Sequence, residues 1–157
     1  MADNLEKLIE YSLKKSGKTA EYYGLTEQLI LSDEDKMNDL FDKRQDVIDE
    51  ILCLDSKIDG IIGSFPAEEK EILKLISSGN EYDGNEFTEY RDIAVKLNSL
   101  KALAIASDKK LGEKLLSIRN ALKEQLNQLA KSRQVMDYMG TTTQTELFKG
   151  NELDQKL

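Results

Sequence analysis

The sequence predicts an all-α fold: an elongated antiparallel helical bundle of coiled-coil character, with three long helices and one short helix. Three observations predict it. From Met37 to Phe65, steps of three and four residues land on Met37, Leu40, Arg44, Val47, Ile51, Leu54, Ile58, Ile61 and Phe65, and every member but Arg44 is apolar. A second seam runs Tyr90, Ile93, Leu97, Leu100, Ala104, Ser107, Leu111, Leu115, Ile118, Leu122, Gln125, Leu129, Ser132 and Met136. The chain is also rich in Leu, Lys, Glu and Asp, with one Pro and no Trp. No stretch alternates with the period of two that a strand requires.

With 157 residues the chain is long enough for one domain with a real core, and an apolar content of 39% argues against wholesale disorder. The formal charge of −8 is spread over mixed-sign helix faces. A negative surface repels phosphate backbones and anionic lipid heads, so nucleic acid and membrane insertion are not expected. Cys53 is the only cysteine, which excludes an internal disulfide and reads as a small residue on a helix flank. Met1-Ala2-Asp3-Asn4 has no cationic start, and no run approaches the ~20 apolar residues of a membrane span. A cytoplasmic location is therefore expected.

The first helix is expected from Leu5 to about Leu31, with Gly17 and Gly24 weakening it and a kink near Gly17. Ser32-Asp33-Glu34-Asp35 looks like the start of the second helix, Ser32 accepting from a free backbone N–H and the acids facing the positive end of the dipole. That helix carries the Met37–Phe65 seam, widened by Phe41, Ile48 and Ile62, and Pro66 ends it. Pro66 then opens a short helix with Glu68 and Glu69 in its first turn, running to Ser78. Residues 79–85, with two glycines and two asparagines, read as a loop. The last helix is expected from Phe87 or Thr88 to Met139, with Gly140 as C-cap. Its seam takes an extra step of four from Leu111 to Leu115, a stutter that relaxes or bends the helix, beside Gly112. At ~1.5 Å per residue such a helix spans about 75 Å, more than either partner can cover. One end must project, fold back or dock elsewhere. The resulting domain organisation is a helical bundle over residues 1–139 and a mobile polar tail over 140–157.

No histidine is present, which removes the commonest general base and the commonest transition-metal ligand. No glycine-rich phosphate loop opens a helix, and paired acids such as Asp46 and Glu50 read as a solvated face. No catalytic residue, metal site or cofactor is expected. Arg44, alone in an apolar seam, reads either as a stem paired to an acid from another helix or as a partner-specifying device. Leu115, Leu116, Ile118, Leu122, Leu126 and Leu129 form an apolar band that is either core against the first two helices or a surface for an amphipathic helix. Met136, Tyr138 and Met139 cluster near the end as either partner anchors or a helix end tucked on the core.

The run Tyr22-Tyr23-Gly24-Leu25-Thr26-Glu27-Gln28-Leu29-Ile30-Leu31, the acidic break at Asp33-Glu34-Asp35, and Arg44, Gln45, Ile48 and Leu54-Asp55 on the next helix resemble the small flagellar export chaperones of the FlgN/FliT type. The resemblance covers residues 5–60 in detail and 90–139 in general character. It implies a cytoplasmic chaperone of flagellar type III secretion that binds the helical C-terminal segment of a hook-associated or filament-cap protein and delivers it to the export apparatus. No ATP or metal is implied. By position, it assigns client binding to Leu115, Ile118, Leu122, Leu126, Leu129 and Met136, and docking at the export gate to Tyr138. The residues also leave open a structural or self-associating coiled-coil adaptor with no client, the last helix meeting its own copy in a homodimer.

Overall fold

The structure, a computed structural model, describes the backbone of residues 2–150 and the side-chain surroundings of residues 3–139. The described residues form four helices and no strand: α1 (Ala2–Leu31), α2 (Glu34–Gly63), α3 (Ala67–Ser77) and α4 (Thr88–Gly150). Three are long and one is short, as the periodicity predicts.

Helix ends differ from expectation in four places. First, α1 begins at Ala2 and continues unbroken through Gly17 and Gly24. A Cβ at either glycine would meet open space, so neither is required by a close approach. Second, Asp33 occupies the N-cap of α2, with extended backbone and no side-chain cap bond. Ser32 instead donates its hydroxyl to the Leu29 carbonyl at 3.1 Å. It therefore closes the last turn of α1, and Asp33 takes the N-cap position of α2. Third, Pro66 is the N-cap of α3 rather than its first helical residue, and its carbonyl accepts from the Lys70 N–H at 2.8 Å. Fourth, α4 does not stop at Gly140 but continues to Gly150. A glycine costs a helix about 1 kcal/mol against alanine but ends it only by turning to the left-handed region. With no proline nearby, Gly140 is carried through. The boundary expected at residues 139–140 thus falls inside α4; of the expected tail, the backbone of 140–150 is helical and 151–157 lie outside the described residues.

The end of α3 shows what a true glycine stop looks like. Gly79 has φ 84°, its N–H donates to the Ile76 carbonyl, and the Asn80 N–H reaches the Leu75 carbonyl, each at 3.1 Å. This paired pattern satisfies carbonyls that the helix end would otherwise leave free. A Cβ at Gly79 would both strain the backbone and crowd Asn98 Nδ2 at 3.3 Å. Gly79→Ala is expected to destabilise the protein by about 1–2 kcal/mol in urea titrations.

The chain divides into two compact units, Met1–Gly112 and Glu113–Leu157. In the first unit, cross-links between α1 and α2 descend on one helix as they ascend on the other: Asn4 with Ser64, Lys15 with Asp55, Lys18 with Glu50, Tyr22 with Arg44. Met37, Val47, Leu54, Ile58 and Phe65 of the α2 seam are buried, together with Ile62. At one end of the unit, Leu8, Ile58, Ile62, Phe65, Leu73, Ile76, Phe87, Tyr90 and Ala94 form a core cluster from all four helices and the Phe87 approach. Phe65 and Phe87 meet edge to face with centroids 6.4 Å apart. The Arg91 guanidinium donates to the Tyr82 carbonyl at 2.9 Å and ties the 79–87 loop to α4.

The inward face of α1 is less apolar than its role suggests. Leu8, Ser12, Thr19, Thr26 and Leu29 are buried, and with half-buried Lys15 and Tyr22 they follow steps of four and three. Thr19 and Thr26 donate their hydroxyls to the carbonyls of Lys15 and Tyr22 at 2.8 and 3.0 Å, so neither is orphaned. From the same face Lys15 and Tyr22 reach across to charged partners, Asp55 for Lys15 and Asp108 and Arg44 for Tyr22.

Candidate partner-binding surface

Along α4 the seam changes character at the stutter. Tyr90, Ile93, Leu97, Ala104, Ser107 and Leu111 are buried, Leu111 to 2% exposure, and Leu100 is half-buried. Beyond Gly112 the same seam is open: Leu115 is 38% exposed, Leu122 49%, and Leu126 and Leu129 65%, while Ile118 is half-buried. Leu115, Leu122, Leu126 and Leu129 are thus exposed members of the second unit's apolar band. At ~100° per residue, Leu115, Ile118, Leu122, Leu126, Leu129 and Met136 fall within an arc of about 80° on one helix face. Tyr138 stands about 120° beyond the edge of that arc, so it does not join the others. Met136, Tyr138 and Met139 are 71%, 73% and 60% exposed.

Charge separates the two regions. Residues 113–139 carry five Lys or Arg and three Asp or Glu, whereas residues 1–112 carry fifteen and twenty-four. The band thus sits in a locally basic stretch of an acidic protein.

Arg44 resolves as the paired stem. Its side chain is 16% exposed, and its guanidinium donates to Asp108 Oδ1 of α4 and to the Tyr22 hydroxyl of α1. The guanidinium carbon also lies 4.6 Å from the Tyr22 ring centroid. Tyr22 in turn donates to Asp108 at 2.7–2.8 Å, and burial, reinforced by that bond, holds its hydroxyl above the ordinary tyrosine pKa. Ser107 donates to Glu27 one residue earlier on α4. These bonds tie α1, α2 and α4 together one turn before the last buried seam position.

Two further features are invisible to a count of apolar residues. An open groove of about 450 Å³ is lined by Ile48, Ile51, Leu52, Ala104 and Ile105, with Leu52 and Ile105 exposed. A cavity of about 170 Å³ lies beside it, with Ser12, Lys15, Asp55, Asn98 and Lys101 on one part of its lining and Ile58, Ile62, Ile93 and Leu97 on another. Lys15 is paired with Asp55, and partial burial, together with the neighbouring Lys15 charge, holds Lys101 below the ordinary lysine pKa. The flanking Ile48 and Leu52 of α2 and Ile105 of α4 are the only sequence signal for the groove, as apolar residues just off the seam. Among the described residues no three His, Cys, Asp or Glu side chains group as a metal ion would require. No helix in the described residues is long and apolar enough to cross a membrane, and Cys53 is exposed.

Comparisons with protein-family models, with curated proteins and with solved structures find no match to this chain.

Proposed function

We propose that this chain is a cytoplasmic chaperone of flagellar type III export. It binds the helical C-terminal segment of a hook-associated or filament-cap protein and hands it to the export apparatus. The single observation that carries the proposal is the exposed apolar face of α4 from Leu115 to Met136, a band that the described residues of its own chain leave uncovered. An amphipathic helix laid along it would remove those side chains from water, at about 25 cal/mol per Å² of apolar area covered. The family resemblance of Tyr22 to Asp55 supplies the identity of the client. The architecture proposed with it is an antiparallel bundle of coiled-coil character, supported by the opposed numbering of the α1–α2 cross-links and by the buried three-four seams. Tyr138, on the opposite side of α4 from the band, is free to serve docking at the export gate while a client is held. No catalysis, cofactor, nucleic acid or membrane insertion enters the proposal.

The test is thermal unfolding with and without a client C-terminal peptide. The melting temperature is expected to rise with peptide concentration, because a ligand that binds only the folded state stabilises it by mass action. Leu122→Asp combined with Leu129→Asp is expected to abolish that rise while the helical signal of the free protein stays unchanged. Unfolding of the double variant would place the band in the core and remove the assignment. The second reading, a self-associating coiled-coil adaptor, is favoured by the continuity of one helix through the whole α4 seam. A concentration-dependent dimer in sedimentation, indifferent to client peptides, would select it.

A further inference from the structure

Taking the α4 band as the partner face proposed above, we infer that the helix it receives is an acidic one, with two carboxylates spaced two heptads apart to face Arg119 and Arg133. Written as a heptad, the band has Leu115, Leu122, Leu129 and Met136 at a, and Ile118, Gln125 and Ser132 at d. Arg119, Leu126 and Arg133 then share position e, the flank whose charges choose the partner of a paired helix. Both arginines are exposed, and neither forms an ion pair with another described residue.

This protein already pairs one arginine beside apolar packing with a carboxylate from the facing helix. Arg44 stands at a seam position of α2 and is met by Asp108 of the facing helix. A partner lying over the α4 band would bring apolar residues against Leu122 and Leu129 and cover part of both guanidinium stems. The two cations then call for carboxylates at the facing positions, about 21 Å apart at ~1.5 Å per residue.

A second copy of the same band does not meet that need. Position g of the band holds Lys114, Ala121, Gln128 and Val135, and position e holds Arg119, Leu126 and Arg133. No Asp or Glu stands at either flank, so neither parallel nor antiparallel self-pairing in any register sets an acid opposite the arginines. Antiparallel pairing centred on Leu126 would set Arg119 against Arg133 twice. A membrane surface is disfavoured by the acidic first 112 residues, which carry twenty-four Asp or Glu against fifteen Lys or Arg.

The test uses the full chain and two synthetic peptides of four heptads with identical Leu a and d positions. One carries Glu at the two positions facing Arg119 and Arg133, and the other carries Lys there. Fluorescence anisotropy is expected to show the Glu peptide binding at least about tenfold tighter at low salt, since each pair swings from attraction to repulsion. The preference is expected to shrink at high salt. The variant R119E/R133E, altered only at exposed sites, is expected to invert the order. Equal binding of both peptides to the unaltered chain, or an order that the double variant does not change, overturns the acidic-partner inference while leaving the docking face intact. Binding of neither peptide removes the docking face itself. Sedimentation with phosphatidylserine vesicles that is lost in R119E/R133E, with no peptide preference, would assign the arginines to lipid instead and overturn the inference.

Discussion

Replacing Leu8 by alanine is expected to lower the unfolding free energy by about 3–5 kcal/mol, the upper range for buried leucine truncations. Leu8 is fully buried in α1 and packs in the cluster that also holds Leu73, likewise fully buried, and the Phe65–Phe87 pair. That cluster joins helices that are distant in sequence, so its neighbours cannot relax into the space without moving α1, α3 or α4 as a whole. The truncation therefore removes both transfer free energy and close contacts around a residual cavity. Urea unfolding followed by helical circular dichroism measures the change. The internal comparison is Leu122→Ala on α4, where the side chain is 49% exposed and the expected change is within about 0.5 kcal/mol. Similar losses at both leucines would show that the open end of the α4 seam is buried in solution.

Asp108→Ala is expected to cost about 2–3 kcal/mol, more than the side chain's own partial exposure would suggest. The reason lies in what it leaves behind. Arg44 is 16% exposed, its Nε is buried and has no hydrogen-bond partner, and Asp108 is the carboxylate that offsets its charge. Without Asp108, the guanidinium remains on the seam beside the Tyr22 hydroxyl and ring, with no other carboxylate paired to it among the described residues. Replacing both partners together, as in Arg44→Leu with Asp108→Leu, removes the charge as well as its neutraliser and is expected to recover most of the loss. A double-mutant cycle in urea separates the two cases. Simple additivity of the single changes would mean that the pair is solvated and contributes nothing specific. A recovered but less uniquely packed double variant, judged by broadened amide spectra, would assign the cluster to fixing the register of α4 against α1 and α2.

Much of the fold is legible because helices obey a local rule. Of the seam positions from Met37 to Phe65, Met37, Val47, Leu54, Ile58 and Phe65 are buried, while near the helix end the flank residue Ile62 is buried in place of Ile61; the stutter at Leu111–Leu115 coincides with the end of the first compact unit. Arg44 also stands out in the sequence, as the one charged residue on an apolar seam. The inward face of α1 is legible only in part: Leu8, Tyr22 and Leu29 carry the helical apolar rhythm, whereas Ser12, Lys15, Thr19 and Thr26 carry no hydrophobic signal. The place of Lys15 and Tyr22 on the seam follows from Asp55, Arg44 and Asp108 on other helices, which no local window contains. Ser32 and Gly140 misled for a related reason. Cap preferences are worth about 1 kcal/mol, and an actual helix end is decided by where the chain must turn to pack.

The sequence by itself determined that the chain is helical, which face of α2 is apolar, and that α4 carries one seam across a stutter, since each follows from the 3.6-residue repeat acting on neighbouring side chains. Only the tertiary structure decided which members of that seam the first unit buries, Tyr90, Ile93, Leu97, Ala104, Ser107 and Leu111, and that Leu115, Leu122, Leu126 and Leu129 of the second are exposed. Burial is a property of what stands opposite. An apolar stripe states that a cover is needed, and the three-dimensional arrangement alone shows where the chain supplies one.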